Sequence, residues 1–313
     1  MVDPIVLAAA VGLVASPIGG RAIVVGLDRV DPSRRRLVEW ALVGGVSALA
    51  LVNECLPASA ARTGIYILLL GALPGIVIYI VSGTALASAV VSLVPLYFGI
   101  GAFTANRPLH TPYIALDRLM PLQPAWMLVY ASMYVFVLLP LLIVREPRLF
   151  RRAMACYITV LTLAYVGFIL YPTMAPRPDT VPGSGFAAWA LRLQYSMDWR
   201  YNCFPSLHVA HSFVSALTVY RVRKDVGTIA TAWAALIGVS TVFTKQHYVV
   251  DVIGGVLIAF AAYAIFLHGF ARASVPAIDY ERAPRRALYV VAVFGAVVVA
   301  MWMVRSLTCV GNC

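Results

Sequence analysis

Three polar clusters interrupt an otherwise apolar chain: "APRPD" with Arg177, "FPSLH" with Ser206 and His208, and "TKQHYVVDVIGG" with Lys245, His247 and Asp251. His247 and Asp251 stand four residues apart. On a continuous helix that spacing sets them about 40° apart on one face, one turn removed. A carboxylate so placed accepts the imidazole N–H, fixes the tautomer and raises the basicity of the other nitrogen. The histidine can then act as a base or as a nucleophile. The competing reading is a buried polar pair that merely joins two helices. Against it stands the cost of burying ionisable groups in a membrane span, which marks such residues as functional.

Within the second cluster, Pro205 stiffens the approach to an apolar helix and Ser206 suits its N-cap. The first turn of that helix presents free N–H groups and the positive end of its dipole, a natural cradle for phosphate. His208, in the same turn, is placed to protonate a leaving oxygen; alternatively the segment is only a helix cap beside a chance histidine. Arg177 offers a cationic fork that matches two phosphate oxygens, or snorkels at the membrane interface. Lys245 can add a charge from the turn before His247. Gathered on one face, the clusters compose a phosphoryl-transfer site. The 13 Asp and Glu are scattered, with no acidic cluster to hold Mg²⁺. No metal and no cofactor is therefore expected, and Arg, Lys and helix N-terminal amides must neutralise the phosphoryl oxygens.

The elements that position these clusters are membrane helices. Of the 313 residues, 62% are hydrophobic and 12% charged, about half the ~25% charged residues of soluble domains. Apolar runs near the ~20 residues that span a bilayer recur throughout. They lie near 5–27, 38–56, 64–82, 85–103, 125–144, 153–171, 206–222, 226–244, 247–268 and 287–307. The expectation is an all-α, polytopic transmembrane bundle of about ten segments with a six-helix catalytic core. Residues 1–84 form accessory transmembrane segments, 85–268 the core, and 269–313 a cytoplasmic loop and a last transmembrane segment. Pro17, Gly19, Gly20 and Arg21 interrupt the first segment, which is broken or re-entrant.

The net charge of +11 follows the positive-inside rule rather than nucleic-acid binding, which needs one basic face. Most of the 24 Lys and Arg fall in four loops on one side, around Arg34–Arg36, Arg145–Arg152, Arg221–Lys224 and Arg282–Arg286. That side is expected in the cytoplasm. The opposite, extracytoplasmic face then carries the loops 104–124 and 172–205 and the "TKQH" turn, hence the whole site. The start of the chain lacks the basic region of a cleavable signal peptide. Within 172–205, "GFAAWALRLQYSMDW" reads either as an interfacial amphipathic helix, with Trp189 and Trp199 at headgroup depth, or as a loosely structured lid. The five cysteines show no zinc spacing. Cys55 and Cys156 read as buried thiols, Cys309 and Cys313 could pair if the tail is extracytoplasmic, and Cys203 is expected to face outside unless the loop shields it.

On these motifs the sequence resembles the type 2 phosphatidic acid phosphatase superfamily, which includes the vanadium haloperoxidases. The signature there runs Lys-x6-Arg-Pro, Pro-Ser-Gly-His and Ser-Arg-x5-His-x3-Asp, and the resemblance covers roughly residues 85–268. It implies that His247 is a nucleophile forming a phosphohistidine, oriented by Asp251, with His208 as general acid and Arg177 and Ser206 binding phosphate. Leu170 stands where the signature has Lys, Thr241 where it has Arg, and Leu207 where it has Gly; Lys245 is a candidate replacement for one missing cation. "PSLHVA" and "QHYVVDVIGG" look closer to the inositol phosphorylceramide synthase-like (inositolphosphotransferase) branch. The resemblance thus implies a bilayer lipid substrate and a polyol or lipid alcohol as acceptor. A lipid phosphate phosphatase is the alternative. A transporter would account for Pro74 and Pro95 but not for three motifs at one face. His211 reads as a packed or supporting histidine. Arg107, His110 and Asp117 read either as headgroup contacts or as a solvated loop.

Overall fold

The computed structural model describes residues 95–308, and the chain divides into two compact units, Met1–Asn106 and Arg107–Cys313. In the first, α1 (Pro95–Thr104) ends on Thr104, whose hydroxyl donates to the Ile100 carbonyl at 2.9 Å. The segments expected near 5–27, 38–56 and 64–82, most of 85–103, and Cys55, Cys309 and Cys313 lie outside the described residues.

The second unit is built of α2 (Met127–Phe136), α3 (Leu139–Ile143), α4 (Pro147–Leu170), α5 (Phe186–Met197), α6 (Leu207–Val222), α7 (Lys224–Phe243), α8 (Val249–Ala262) and α9 (Ala277–Thr308). Among the described residues there are two isolated bridges and no strand. Among the described residues, four helices are long and apolar enough to cross a membrane: α4, α7, α8 with its extension to Leu267, and α9. The run expected as one segment over 125–144 is instead two helices, because Pro140 has no N–H to continue the ladder. The Val137 carbonyl at the break accepts the Tyr157 hydroxyl at 3.0 Å. The last helix begins ten residues before the expected 287. Asp279 in its first turn is fully buried and accepts from the backbone N–H groups of Arg145 and Glu146 at 2.7 and 3.1 Å.

Helix α6 lies at the centre. It is apolar or small on nearly every face, the pattern of a helix surrounded by protein, and Val209, Ala210, Val214, Ala216 and Val219 are all buried. Glycines let its neighbours close on it, as small residues do in membrane bundles. A Cβ on Gly255 of α8 would stand 2.5 Å from the Ser206 carbonyl oxygen and 3.0 Å from the Val209 Cβ. One on Gly254 would stand 2.9 Å from the Phe204 ring, and one on Gly167 of α4 would stand 2.7 Å from the Pro205 Cδ. The start of α6 is thus clamped between α4 and α8.

The two ends of the bundle differ in chemistry. At one, arginines donate to backbone carbonyls at or just beyond helix ends: Arg221 to Phe270, Arg272 to Tyr220, Arg152 to Phe266 and Arg286 to Ile143. At the other, the loop before α2 and the long loop between α4 and α6 are joined. His110 N–H donates to the Pro172 carbonyl at 2.8 Å, Met174 N–H to His110 at 3.1 Å, and Ala175 N–H to Arg200 at 2.7 Å. The Gln123 N–H completes this end, donating to the Phe243 carbonyl at 2.9 Å.

Candidate active site

Ser206 is the N-cap of α6: its Oγ accepts from the Val209 N–H at 3.4 Å, while its own N–H donates to the Asp251 backbone carbonyl at 3.0 Å. That second bond ties the start of α6 to the first turn of α8. His208 is the second residue of α6, and its ring reaches the α7–α8 turn. Its Nδ1 lies 2.9 Å from His247 Nε2, and His247 Nδ1 lies 3.4 Å from Asp251 Oδ2. The structure therefore brings His208, His247 and Asp251 into one line, with His247 and Asp251 almost fully buried.

The His247–Asp251 pair is not made on a helical face, as the spacing suggests. Tyr248 is the N-cap of α8, so His247 belongs to the turn before the helix, and Asp251 is the third helical residue. The Asp251 Oδ2 accepts from the Tyr248 N–H at 2.8 Å, in the geometry of a capping box. His247 is held from the other side by its own N–H, which donates to the Thr241 carbonyl at 3.2 Å. The left-handed φ of Lys245, 54°, makes this turn, a strained conformation of the kind that collects at functional sites.

Arg177 is drawn to the same place. Its side chain is 7% exposed. It donates to the Asp198 carbonyl at 2.7 Å, pairs with the Asp198 carboxylate at 3.3 Å, donates to Gln246 Oε1 and lies 5.0 Å above the Tyr195 ring. Its Nε is buried and has no partner among the described residues; the same holds for Gln246 Nε2, Arg200 Nε and Asp251 Oδ1. Buried polar atoms are nearly always paired, so unpaired donors on Arg177 and Gln246, beside His247, are groups ready for an anion. Arg200 joins them through Nη2, which donates to the Arg177 carbonyl at 3.0 Å.

Lys245 is turned elsewhere. Its ammonium donates to the Met120 carbonyl, and burial lowers its pKa against the opposing pull of Asp117. The positions where cations are missing carry none: Leu170 is exposed at the end of α4, and Thr241 is buried with its hydroxyl on the Gly238 carbonyl at 2.7 Å. Of the loop residues Arg107, His110 and Asp117, the first two are exposed and the third is buried, and each has a partner within the protein. Arg107 donates to the Ile169 carbonyl, His110 stacks on Tyr171 at 4.3 Å, and buried Asp117 accepts from Val249 N–H at 2.9 Å, capping α8. His211, one turn beyond His208, packs beside Tyr157 at 5.3 Å with its Nε2 unpaired.

The segment 172–205 is an ordered cover. Leu191 and Ala190 of α5 bury against Met127 and Tyr130 of α2, and the Tyr195 hydroxyl donates to the Thr244 carbonyl at 2.6 Å. Cys203 lies beneath this cover, 2% exposed. Burial first, then the Asp251 charge, holds its thiol well above the ordinary range. Burial also pushes the Tyr248 phenol up to about 12. One atom each of Cys203, His247 and Asp251 lie within 4.8 Å of one another, a donor set suited to a soft divalent cation such as Zn²⁺. An apolar cavity of about 190 Å³ opens between α6, α7 and α8, lined by Leu116, Phe213, Val239, Val249, Val252 and Val256. It begins at Val249, two residues from His247.

The PAP2 superfamily matches residues 109–265, half of the chain, a range that includes Arg177, Ser206, His208, Lys245, His247 and Asp251. The chain belongs to the PAP2 superfamily. A PA-phosphatase related-family protein of Dictyostelium discoideum is 30% identical over 94 residues, 26% of this chain and 17% of its own length. A protein of Methanocaldococcus jannaschii described as uncharacterized is 44% identical over 59 residues, 19% of this chain and 24% of its own length. The chain thus spans under a quarter of each relative. No solved structure matches.

Three residues of this PAP2 site escaped the sequence. Gln246 was marked only by adjacency to His247, and Arg200 sits in a polar loop without a motif. Tyr130, whose hydroxyl lies 2.9 Å from His208 Nε2, stands in an apolar run where nothing distinguishes it from packing.

Proposed function

We propose that the protein is an integral membrane enzyme that transfers phosphoryl groups of lipid phosphates or phosphodiesters through a phosphohistidine on His247. The observation that carries the reading is the buried line Asp251–His247–His208, set beside the N-cap of α6 and the unpaired donors of Arg177 and Gln246. Asp251 accepts the hydrogen bond of the His247 Nδ1–H and so holds the tautomer whose Nε2 lone pair attacks phosphorus. The P–O bond to the leaving alcohol breaks and His208 supplies that oxygen with a proton. In the second half His208 takes the proton of the incoming hydroxyl, whose oxygen displaces His247 from phosphorus. Arg177, the Gln246 amide and the first-turn amides of α6 face the phosphoryl oxygens throughout. Asp251, His247, His208 and Arg177 do this without a metal ion.

The apolar cavity beside Val249 suits the tail of a lipid donor. The ordered cover over the site, which would keep water from the intermediate, favours transfer of a phospho-headgroup to an alcohol, as in the inositol phosphorylceramide synthase-like branch. A lipid phosphate phosphatase differs only in that water is the acceptor. The arginine-rich end of the bundle belongs in the cytoplasm by the positive-inside rule, which puts the site on the extracytoplasmic face. The proposed organisation is ten membrane segments: accessory ones in 1–84, a six-helix core in 85–268, and the last in 269–313.

The test offers labelled donor lipid to the purified protein with and without inositol, glycerol or diacylglycerol, and quenches in alkali to trap phosphohistidine. A labelled, alkali-stable enzyme that discharges to the alcohol supports the reading. No covalent label under turnover overturns the nucleophile, and release of free phosphate or phospho-headgroup whatever the alcohol makes the protein a hydrolase.

A further inference from the structure

His208 is held at both ring nitrogens, and the second hold has no role in the chemistry above. Its Nδ1 meets His247; its Nε2 lies 2.9 Å from the Tyr130 hydroxyl on α2. The chain continues outward. Gln194 Nε2 of α5 donates to the Tyr130 oxygen at 3.4 Å, and Gln194 Oε1 accepts the Tyr134 hydroxyl at 3.2 Å. Tyr130 is wholly buried and Gln194 nearly so.

The direction of every bond in this chain follows from its ends. The Asp251 carboxylate can only accept, so His247 carries its proton on Nδ1 and presents a lone pair at Nε2. His208 Nδ1, facing that lone pair, must carry a proton. With His208 uncharged, its Nε2 is then an acceptor, and the proton between it and Tyr130 belongs to the phenol. Tyr130 donates inward and its oxygen accepts from the Gln194 amide, whose own oxygen accepts from Tyr134. Six groups thus share one polarity, pointing from Tyr134 toward Asp251.

We propose that Tyr130 is a positioning residue for the general acid. It fixes His208 in the tautomer that aims its proton at the leaving oxygen, and it replaces that proton. When the Nδ1 proton of His208 moves to the leaving alkoxide, an imidazolate would remain. The Tyr130 O–H proton moves to Nε2 instead, and the phenolate so formed is stabilised by the Gln194 N–H. In the second half-reaction the incoming hydroxyl gives its proton to Nδ1 and Nε2 returns its proton to Tyr130. No co-reactant is consumed. Gln194 connects this relay to the cover helix α5, so that the cover and the acid are set together. The inference rests on the reading of His208 as acid, and the experiment separates the two.

Tyr130→Phe and Gln194→Met are assayed with donors that leave as an alkoxide (short-chain phosphatidic acid, phosphatidylinositol) and as a stable phenolate (p-nitrophenyl phosphate, p-nitrophenyl phosphorylinositol). A phenolate needs no proton to depart, so the relay matters only for the alkoxides. Tyr130→Phe should lower kcat about 10²-fold on alkoxide donors, the low end of general-acid contributions. KM should stay within a few-fold, and the loss should shrink to a few-fold on phenolate donors. Gln194→Met should show the same selectivity with a smaller loss. A Tyr130→Phe protein that matches the parent on alkoxides, or loses equally on both donor types, overturns the assignment. If that variant does not fold, Gln194→Met decides: selectivity for alkoxide donors supports the relay, and its absence overturns it. A parent whose activity survives His247→Ala overturns the reaction itself, and the relay with it.

Discussion

His208 Nδ1 and His247 Nε2 stand 2.9 Å apart, so the atom expected to attack phosphorus is occupied by a hydrogen bond. A phosphoryl group bonded to His247 Nε2 must take the place of that bond. The contact describes a site poised for its substrate: the lone pair is already aimed at the space between the rings, and His208 retains its second anchor at Tyr130. His247→Ala should lower turnover by about 10³-fold or more, because the nucleophile is lost. His208→Ala should do the same on lipid donors. Asp251→Asn should retain a residue of activity, with a loss of ~10⁴-fold or less, since the imidazole survives but its tautomer does not. Activity of His247→Ala within a few-fold of the parent would rule the site out.

Gly255→Ala should destabilise the protein by about 1–3 kcal/mol, the range for overpacking. The added methyl meets the Ser206 carbonyl oxygen at 2.5 Å, a backbone atom that cannot swing aside. Gly238→Ala is the control, with its nearest atom, Val252 Cγ1, at 3.4 Å. Thermal unfolding in detergent should separate the two. Activity of Gly255→Ala should fall further than its stability, because Ser206 carries the turn that aims His208.

Cys203 should resist maleimide in the folded protein, at alkaline as at neutral pH. It is buried, and its raised pKa keeps the thiol protonated where an exposed cysteine, near ~8.5, ionises. Topology is better read from cysteines placed at Asp179 and Ser184, which are exposed, and at Arg285 on α9, also exposed. An impermeant reagent added outside intact cells should label the first two and spare the third. The reverse pattern would invert the orientation.

Much of this site was legible in the sequence because membrane burial makes polar residues conspicuous. Ser206, His208, His247, Asp251 and Arg177 are polar groups at the ends of apolar runs, and the structure collects all five. What the sequence concealed depends on where helices begin. The His247–Asp251 spacing fits a helical face, yet a left-handed Lys245 and an N-cap at Tyr248 deliver the same contact from a turn. The ten-residue advance of α9 was hidden by its charged first turns, which Asp279 makes habitable by capping the start of α4. Lys245 drew attention as a cation, but its left-handed backbone turns the ammonium to Met120. Tyr130 and Gln194 acquire meaning only through tertiary contact.

Activity should survive EDTA, and vanadate should inhibit by adopting the geometry of the transferring phosphoryl group. Zn²⁺ should inhibit as well, because the Cys203, His247 and Asp251 donors within 4.8 Å would claim the ring nitrogen and the carboxylate that the reaction needs. Cys203→Ser should weaken the zinc effect. Strict dependence on added Mg²⁺ would contradict a site neutralised by Arg177 and helix amides.

Disrupting the α5 cover should shift the balance from transfer to hydrolysis. Leu191 is fully buried against α2, and Tyr195 is fixed on the Thr244 carbonyl at 2.6 Å while its ring supports Arg177. Leu191→Ala leaves a cavity and loosens that packing, at ~2–5 kcal/mol for a buried leucine. With the cover loosened, water reaches the phosphohistidine before a second substrate does. The ratio of hydrolysed to transferred product, measured with labelled donor at fixed alcohol concentration, should therefore rise even as the total rate falls. Tyr195→Phe separates the two functions of this helix. It removes the bond to Thr244 but keeps the ring beneath Arg177, so the hydrolysis fraction should rise with little change in donor KM. An unchanged product ratio in both variants would mean that α5 does not exclude water, and the preference for an alcohol would then have to reside in the acceptor's own contacts.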